Sequence, residues 1–246
     1  MPPAIVRLVR SLGSAALLMG VAGPVCAGGA LLAAEPGARL TALPTLFEEH
    51  FDAGADRWQP TDPQAWKIVD SRQGNAYSLA RQSEYKPPHR SPLNYTLVKD
   101  LVVSDFVLEA DVFSTVKDYG HRDMCLIFGY QDPGHFYYVH FGKQTDDHAN
   151  QIFIVNNAAR EKISTKTTPG TPWDDRWHHV KLTRDAQSGA IAVYFDDLQV
   201  PAMTAEDKTF VGGQVGLGSF DDLGDWDNVL VRGKKVDKNP SKVRVP

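Results

Sequence analysis

One segment of the chain, residues 135–151, concentrates polar and aromatic side chains whose chemistry suits ligand binding. Alternation along a predicted strand puts Tyr138 and His140 on one face, and a polar loop follows Gly142. Aromatic rings stack on the C–H faces of sugars, and amide or charged groups bond to hydroxyls. The segment therefore predicts a sugar-binding groove, with candidate binding residues Tyr138, His140, Lys143, His148 and Asn150.

Two other interpretations of this segment stay open. Either histidine could act as a general base with Tyr138 or Lys143 as its partner, which would suit a lyase that removes a proton beside a carboxylate. On that hypothesis the candidate catalytic residues are His140 and Lys143. Alternatively, the loop is a solvated hairpin whose charges only keep the protein soluble.

A second polar surface is predicted on the strand-like run 106–113, where Glu109 and Asp111 share one face. The polar side chains of such a sheet face need contact with water or with a ligand. If the strand that carries Tyr138 belongs to the same sheet, Glu109 and Asp111 lie on or near the floor of the same groove. We therefore expect these side chains to converge on one concave cleft.

Short strands must position these residues. Runs rich in Val, Ile, Phe, Tyr and Thr alternate with turn signals such as Asp-Pro-Gly and Val-Gly-Gly, and no segment has a clear helical period. This pattern is typical of an all-β protein, here an antiparallel β-sandwich. The predicted strands cover residues 47–51, 66–70, 76–80, 94–98, 106–113, 124–130, 135–141, 151–155, 161–165, 177–184, 190–195, 214–219 and 225–231.

The composition is that of an ordinary globular protein. Of the 246 residues, 42% are hydrophobic and 23% are charged. A chain of this length is long enough for one large β domain. The net charge of -4, without a long run of like charges, argues against nucleic-acid binding. We expect a monomer.

The N-terminus has the layout of an export signal. Arg7 and Arg10 precede a charge-free stretch over residues 11–34. Small residues allow cleavage after Ala27 or Ala34, and interrupting glycines argue against stable membrane insertion. We therefore expect a secreted, periplasmic or cell-envelope protein. The predicted organisation is a signal peptide over 1–34, a linker over 35–44, one domain over 45–233 and a disordered tail over 234–246.

Cleavage of the signal would leave Cys125 as the only cysteine, which excludes an internal disulfide. Cys125 lies in the apolar run Met-Cys-Leu-Ile-Phe. Burial as a small hydrophobic residue is therefore favoured over a catalytic role.

Three blocks of sequence together resemble the concanavalin A-like lectin/glucanase superfamily. They are FEEHFDAGADRW at 47–58; WHHVKLT at 177–183 followed by AIAVYF at 190–195; and GQVGLGSF at 213–220 followed by WDNVLV at 226–231. The nearest branches are laminin-G-like domains and the bacterial 3-keto-disaccharide hydrolase domains. The resemblance implies a concanavalin A-like jelly roll over residues 45–233 and a role with carbohydrate, but no single activity.

The resemblance also implies a structural calcium ion. Domains of this superfamily often join the first strand to the last through Ca²⁺, held by carboxylates and main-chain carbonyls. Asp52 and Asp227 match positions where the family places acidic residues, and Glu49 is a reserve ligand.

The family-sixteen glucanases of this superfamily carry their catalytic acids on one strand as Glu-x-Asp-x-x-Glu. Glu109 and Asp111 match the first two positions, but Ser114 stands in place of the last glutamate. The missing acid/base residue argues against that glycosidase class.

Three functions are therefore expected. The first is an exported carbohydrate-recognition domain that binds a poly- or oligosaccharide. The second is a saccharide-acting enzyme, either 3-keto-disaccharide hydrolase-like or a polysaccharide lyase. The third is a cell-surface adhesive domain that binds protein. Trp173 lies in a predicted loop and is a second candidate sugar platform, whereas the other tryptophans are expected to pack in the core or at its edge.

Overall fold

The computed structural model describes residue 40 and residues 42–71 and 74–236 of the chain. Between residues 42 and 236 the described residues form fifteen β-strands and no helix, as the sequence predicts. The strands are β1 (Thr45–Glu49), β2 (Trp58–Pro60), β3 (Trp66–Ser71), β4 (Gly74–Leu79), β5 (Asn94–Ser114), β6 (Asp123–Asp132), β7 (His135–Gly142), β8 (Gln151–Asn156), β9 (Glu161–Lys162), β10 (Ser164–Thr167), β11 (His178–Arg184), β12 (Ala190–Phe195), β13 (Met203–Glu206), β14 (Gly213–Ser219) and β15 (Gly224–Lys235).

The predicted signal peptide, most of the predicted linker and most of the predicted tail lie outside the described residues. The last strand continues to Lys235, two positions past the predicted domain end. In the described part of the chain, no helix has the length and apolar character needed to span a bilayer.

The strands form two antiparallel layers that share β5. The first sheet has the order β1-β15-β5-β11-β12-β13-β10, with the β3–β4 hairpin attached to β15. The second sheet has the order β2-β5-β14-β6-β7-β8-β9. The first and last strands pair, as the sequence analysis implies for the calcium position.

The long strand β5 replaces two predicted strands. It runs for 21 residues, with its first half in the second sheet and its second half in the first sheet. Asp100 has a φ of 58°, a left-handed conformation that lies within an irregularity of the pairing between β5 and β14. The sequence pattern predicts a break there because Lys99 and Asp100 interrupt the apolar run. The pairing with β14 has an irregular register at this point and resumes at Val102, so the two predicted strands form one.

The main core lies between the two sheets. Alternate residues of β5 and β11 face it, including Leu108, Ala110 and Val180 from the first sheet. Tyr137 and Val139 of β7 face the same core from the second sheet. Since successive side chains of a strand point to opposite faces, the intervening residues of the two sheets point away from each other.

The predicted common groove is therefore wrong. Glu109 and Asp111 lie on the outer face of the first sheet, whereas Tyr138 and His140 lie on the outer face of the second. These faces are on opposite sides of the sandwich. The prediction assumed that both strands belong to one sheet, and the crossing of β5 between the layers separates them.

The outer face of the second sheet is apolar rather than polar. A second cluster of buried side chains covers it, and Tyr85 from the segment 81–93 packs against that cluster. The ring of Tyr85 meets Tyr95 edge to face at 5.6 Å, and their hydroxyls are 3.2 Å apart. The buried members are Tyr95, Leu97, Cys125, Ile127, Phe136, Tyr138, Phe153 and Val155.

Candidate functional site

A cleft of about 640 Å³ opens at one end of the first sheet's outer face. Neighbouring strands form its floor, because Phe113 on β5 is the cross-strand partner of Asp225 on β15. The hairpin strand β3 and the turn before β11 form its walls. The cleft is lined by Asp70, Ser71, Phe113, Asp175, Arg176, Trp177 and Asp225.

Two aromatic rings lie side by side in this cleft. Phe113 and Trp177 have centroids 5.7 Å apart at an interplanar angle of 38°, and both are half-buried. Both residues face outward, because side chains alternate along a strand and the adjacent residues Val112 and His178 are buried. The cleft therefore offers partly exposed aromatic surface.

The aromatic platform is Trp177 and not Trp173. The structure buries Trp173 to 3% exposure, where its Nε1–H donates to the carbonyl of Phe141 at 2.8 Å. Its ring packs against Phe195 and His178. The prediction that Trp173 is an exposed loop platform is wrong, because the loop before β11 turns this ring into the core and leaves Trp177 at the surface.

The charged residues of the cleft are held by their neighbours. Arg176 donates from Nε to Asp174 at 2.8 Å, and the buried guanidinium of Arg122 donates to Asp175 at 3.2 Å. Burial raises the pKa of Asp225, and its Oδ1 has no hydrogen-bond partner in the structure. Asp225 therefore lines the cleft with a carboxyl whose Oδ1 is buried and without a partner, and the cost of that atom favours the protonated form.

A polar network follows the same outer face away from the cleft. Asp111 accepts from Nδ1 of His179 at 2.6 Å and from the amide of Asn228 at 2.7 Å. Glu109 accepts from Arg232 at 2.8 Å. The predicted polar face of the 106–113 strand thus exists, and its carboxylates are already paired with protein groups.

On the opposite side of the sandwich, Tyr138 has no exposed face for a sugar. It is fully buried, its ring stacks on Phe153 at 5.0 Å, and its hydroxyl accepts from Arg160 at 2.7 Å. The guanidinium of Arg160 also lies 4.2 Å from the ring centroid of Phe220. The predicted stacking surface is therefore occupied by protein.

The remaining residues of the predicted groove belong to the loop after β7. Lys143 pairs with Asp118, and His148 is exposed. Asn150 is buried with a φ of 53°, and its amide donates to the carbonyl of Thr168 at 3.1 Å. Asn150 thus fixes the loop, and its short polar side chain suits the left-handed backbone.

His140 meets two other potential metal ligands on the outer face of the second sheet. Its Nε2 lies 3.4 Å from Oδ2 of Asp123, and Sγ of Cys125 lies 3.5 Å from the same oxygen. Burial raises the pKa of Asp123 to about 8 and lowers that of His140 to about 3. Burial therefore disfavours the charged form of both groups.

The two residues assigned to calcium by resemblance lie near each other. Asp227 is buried, and burial raises its pKa, to which the nearby charge of Asp52 adds. Its Oδ1 accepts from the main-chain N–H of Asn228 at 2.7 Å. Glu49, the reserve ligand, is engaged with the N–H of Phe51.

Sequence reasoning missed most of the cleft. Asp70 and Asp225 are far apart in the chain, and only the pairing of β3 with β4 and of β4 with β15 brings them together. A signal for Trp177 was nonetheless available, because it shares the alternation of His179 and Lys181, which face outward.

No protein-family model matches the chain, and no curated protein matches it by sequence. Solved structures share its fold. The carbohydrate-binding module CBM66 from Bacillus subtilis is similar with 20% identity and a TM-score of 0.52, over 72% of this chain and 96% of that one. Domain 4 of AbnA, an extracellular GH43 arabinanase from Geobacillus stearothermophilus solved with arabinotriose, has 13% identity and a TM-score of 0.52, over 82% and 97%.

Basic winged bean lectin, solved with Tn-antigen, is also similar, with 15% identity and a TM-score of 0.52 over 78% of this chain and 100% of the lectin. These likenesses confirm the predicted concanavalin A-like, lectin-like fold.

Proposed function

We propose that this chain is a carbohydrate-recognition domain that binds a poly- or oligosaccharide in the cleft beside Phe113 and Trp177. The observation that carries the proposal is the pair of half-buried aromatic rings in an open cleft of about 640 Å³. Ligand pockets measure about 300–1,000 Å³ and combine apolar surface with a few polar groups.

The lining of the cleft supplies both the apolar surface and the polar groups that a sugar needs. The rings supply flat apolar surface for the C–H face of a pyranose or furanose ring. Asp225 and Arg176 supply an acceptor and a donor at the edge of that surface, where ring hydroxyls point. Several proteins that share the fold have names that describe carbohydrate binding, which supports the same class of ligand.

The proposal includes a location and an ion. Arg7, Arg10 and the charge-free stretch after them support export, so the ligand would be met outside the cytoplasm. A structural Ca²⁺ between Asp52 and Asp227 would relieve the repulsion that contributes to the raised pKa of Asp227. Ca²⁺ prefers such carboxylate oxygens together with main-chain carbonyls.

The test is a glycan array probed with the purified chain, with and without CaCl₂, followed by titration of the best ligand. Trp177→Ala should weaken binding by roughly 1–3 kcal/mol, as expected for an aromatic anchor. Tyr194→Ala removes another half-buried aromatic ring from the same sheet face outside the cleft, and should leave affinity unchanged. Equal loss from both variants, or no loss from Trp177→Ala, would refute this site.

A hydrolase is the second candidate, because Asp225 combines a raised pKa with an accessible cleft. A general acid must be protonated near the working pH, which a raised pKa favours. If the chain is a hydrolase, Asp225→Asn should abolish release of reducing ends while binding survives. Absence of product from every bound glycan would leave recognition as the function.

A further inference from the structure

We propose that Asp123, Cys125 and His140 form a binding site for a divalent transition-metal ion with affinity for sulfur, of which Zn²⁺ is the type. The site lies on the outer face of the second sheet, on the other side of the sandwich from the sugar cleft. It is independent of the proposed carbohydrate function.

Strand register brings the three side chains together. Asp123 and Cys125 are two residues apart on β6 and therefore share a face. His140 on β7 is the direct cross-strand partner of Cys125. Side chains of directly opposed residues on one face of an antiparallel pair are neighbours, so the sheet itself holds the donors in place.

The separations between the donor atoms fit one tetrahedral ion. Zinc bonds of about 2.0 Å to nitrogen or oxygen and about 2.3 Å to sulfur put neighbouring donors roughly 3.3–3.6 Å apart at tetrahedral angles. The carboxyl Oδ2 of Asp123 lies 3.4 Å from Nε2 of His140 and 3.5 Å from Sγ of Cys125. One donor atom from each of the three residues lies within 4.8 Å of the other two.

Burial gives an independent reason to expect a ligand. Asp123 and Cys125 are fully buried and His140 is 5% exposed. Oδ1 of Asp123 and Nδ1 of His140 have no hydrogen-bond partner in the structure. A buried polar atom without a partner costs about 1–3 kcal/mol, and an ion that contacts both carboxylate oxygens of Asp123 would offset that cost at Oδ1, whereas Nδ1 of His140 lies outside the set of three donors.

The donor types select the metal. A thiolate, an imidazole and one carboxylate suit Zn²⁺ and its chemical relatives, whereas Ca²⁺ and Mg²⁺ take oxygen ligands. Asp221, an exposed residue with a carboxylate oxygen within 4.8 Å of one on Asp123, is the candidate for a fourth ligand. Asp222 is less available, because it accepts from Tyr119 and from the N–H of Asp123.

Neighbouring charges of both signs act on the ion. Asp221 and Asp222 each place a carboxylate oxygen within 4.8 Å of one on Asp123, and their negative charge favours a cation. Arg160 packs on Phe153 and Phe220, the two rings that His140 also contacts, and its positive charge opposes a cation there.

The experiment uses the untagged full chain, stripped with EDTA and dialysed into excess CaCl₂ so that oxygen-only sites are filled. One equivalent of ZnCl₂ should bind, counted by elemental analysis after gel filtration. CoCl₂ in place of zinc, added to a chain that carries Cys26→Ser so that Cys125 is the one remaining thiol, should give tetrahedral d–d absorption and a thiolate-to-cobalt charge-transfer band.

Cys125→Ser should remove the charge-transfer band and weaken Zn²⁺ binding at least tenfold. His148→Ala, which changes an exposed histidine on the loop after β7, is the matched control and should keep the charge-transfer band and the Zn²⁺ affinity. If Cys125→Ser does not fold, the cobalt spectrum of the Cys26→Ser chain, in which Cys125 is the one thiol, decides alone. Substoichiometric zinc, a cobalt spectrum without charge transfer, or equal binding by Cys125→Ser would overturn the proposal.

Discussion

His179 and Asp111 form a close pair across β11 and β5, with Nδ1 of the imidazole 2.6 Å from Oδ1 of the carboxylate. The hydrogen bond to Asp111 raises the pKa of His179. Burial acts to raise the pKa of Asp111, but the hydrogen bonds from His179 and Asn228 outweigh it and the pKa is lowered. Each group therefore favours the charged form of the other.

This pair predicts a dependence of stability on pH. A raised histidine pKa stabilises the fold below the ordinary value of 6.5, and this contribution is lost as pH rises through the folded pKa. The lowered pKa of Asp111 contributes above 3.8 and is lost as pH falls. The melting temperature of His179→Gln should fall less between pH 6 and about pH 8.5 than the melting temperature of the wild type. His148→Gln, an exposed control, should keep the wild-type slope.

Removal of calcium should lower the melting temperature if Asp52 and Asp227 share an ion. An ion bound only by the folded state stabilises it by about 2.7 kcal/mol at a hundredfold excess over the dissociation constant. The difference between melts in CaCl₂ and in EDTA should vanish in Asp227→Asn and persist in Asp56→Asn, a change at a nearby exposed residue. Identical wild-type midpoints in the two buffers would eliminate this site.

The two tryptophans before β11 should separate stability from binding. Trp173→Ala removes a ring that is buried against Phe195 and should cost about 3–5 kcal/mol of unfolding free energy. Trp177→Ala removes a half-buried ring and should lower the free energy of unfolding by much less. Urea denaturation of both variants checks this, and a greater loss from Trp177→Ala would mean that the cleft wall is part of the core.

Tyr138 should behave as a core residue. Tyr138→Ala empties the space between Phe153 and Arg160 and should cost about 3–5 kcal/mol of stability. Glycan affinity of the folded fraction should not change, because the cleft lies on the other sheet. Tyr138→Phe keeps the ring and loses only the hydrogen bond from Arg160, so its cost should be about 1 kcal/mol. A selective loss of glycan binding in Tyr138→Phe would restore the groove as a site.

The local sequence pattern was sufficient to predict most of the strands and which face of each strand is buried. Alternation in β5 and β11 predicts that Leu108, Ala110 and Leu182 are buried, and they are. The short strands β2 and β13 were missed, because three or four residues carry too little periodicity to distinguish them from a loop.

Local pattern could not predict the site, because the site depends on which face another segment covers. Tyr138 and His140 have the sequence character of a binding surface, yet residues 81–93 and the distant Arg160 cover that surface. Trp177 has the sequence character of an edge residue and stays partly open because the hairpin β3–β4 leaves space beside it. Both outcomes are set by contacts between residues far apart in the chain.

The continuity of β5 through both sheets links their opening motions. Its first half is hydrogen-bonded to β2 and β14, and its second half to β11 and β15. Neither sheet can separate from the other without breaking a ladder on this one strand, so the sandwich should open as one cooperative unit. Amide protons paired within residues 94–114 should then exchange with solvent with one opening free energy, that of global unfolding, whichever sheet they occupy.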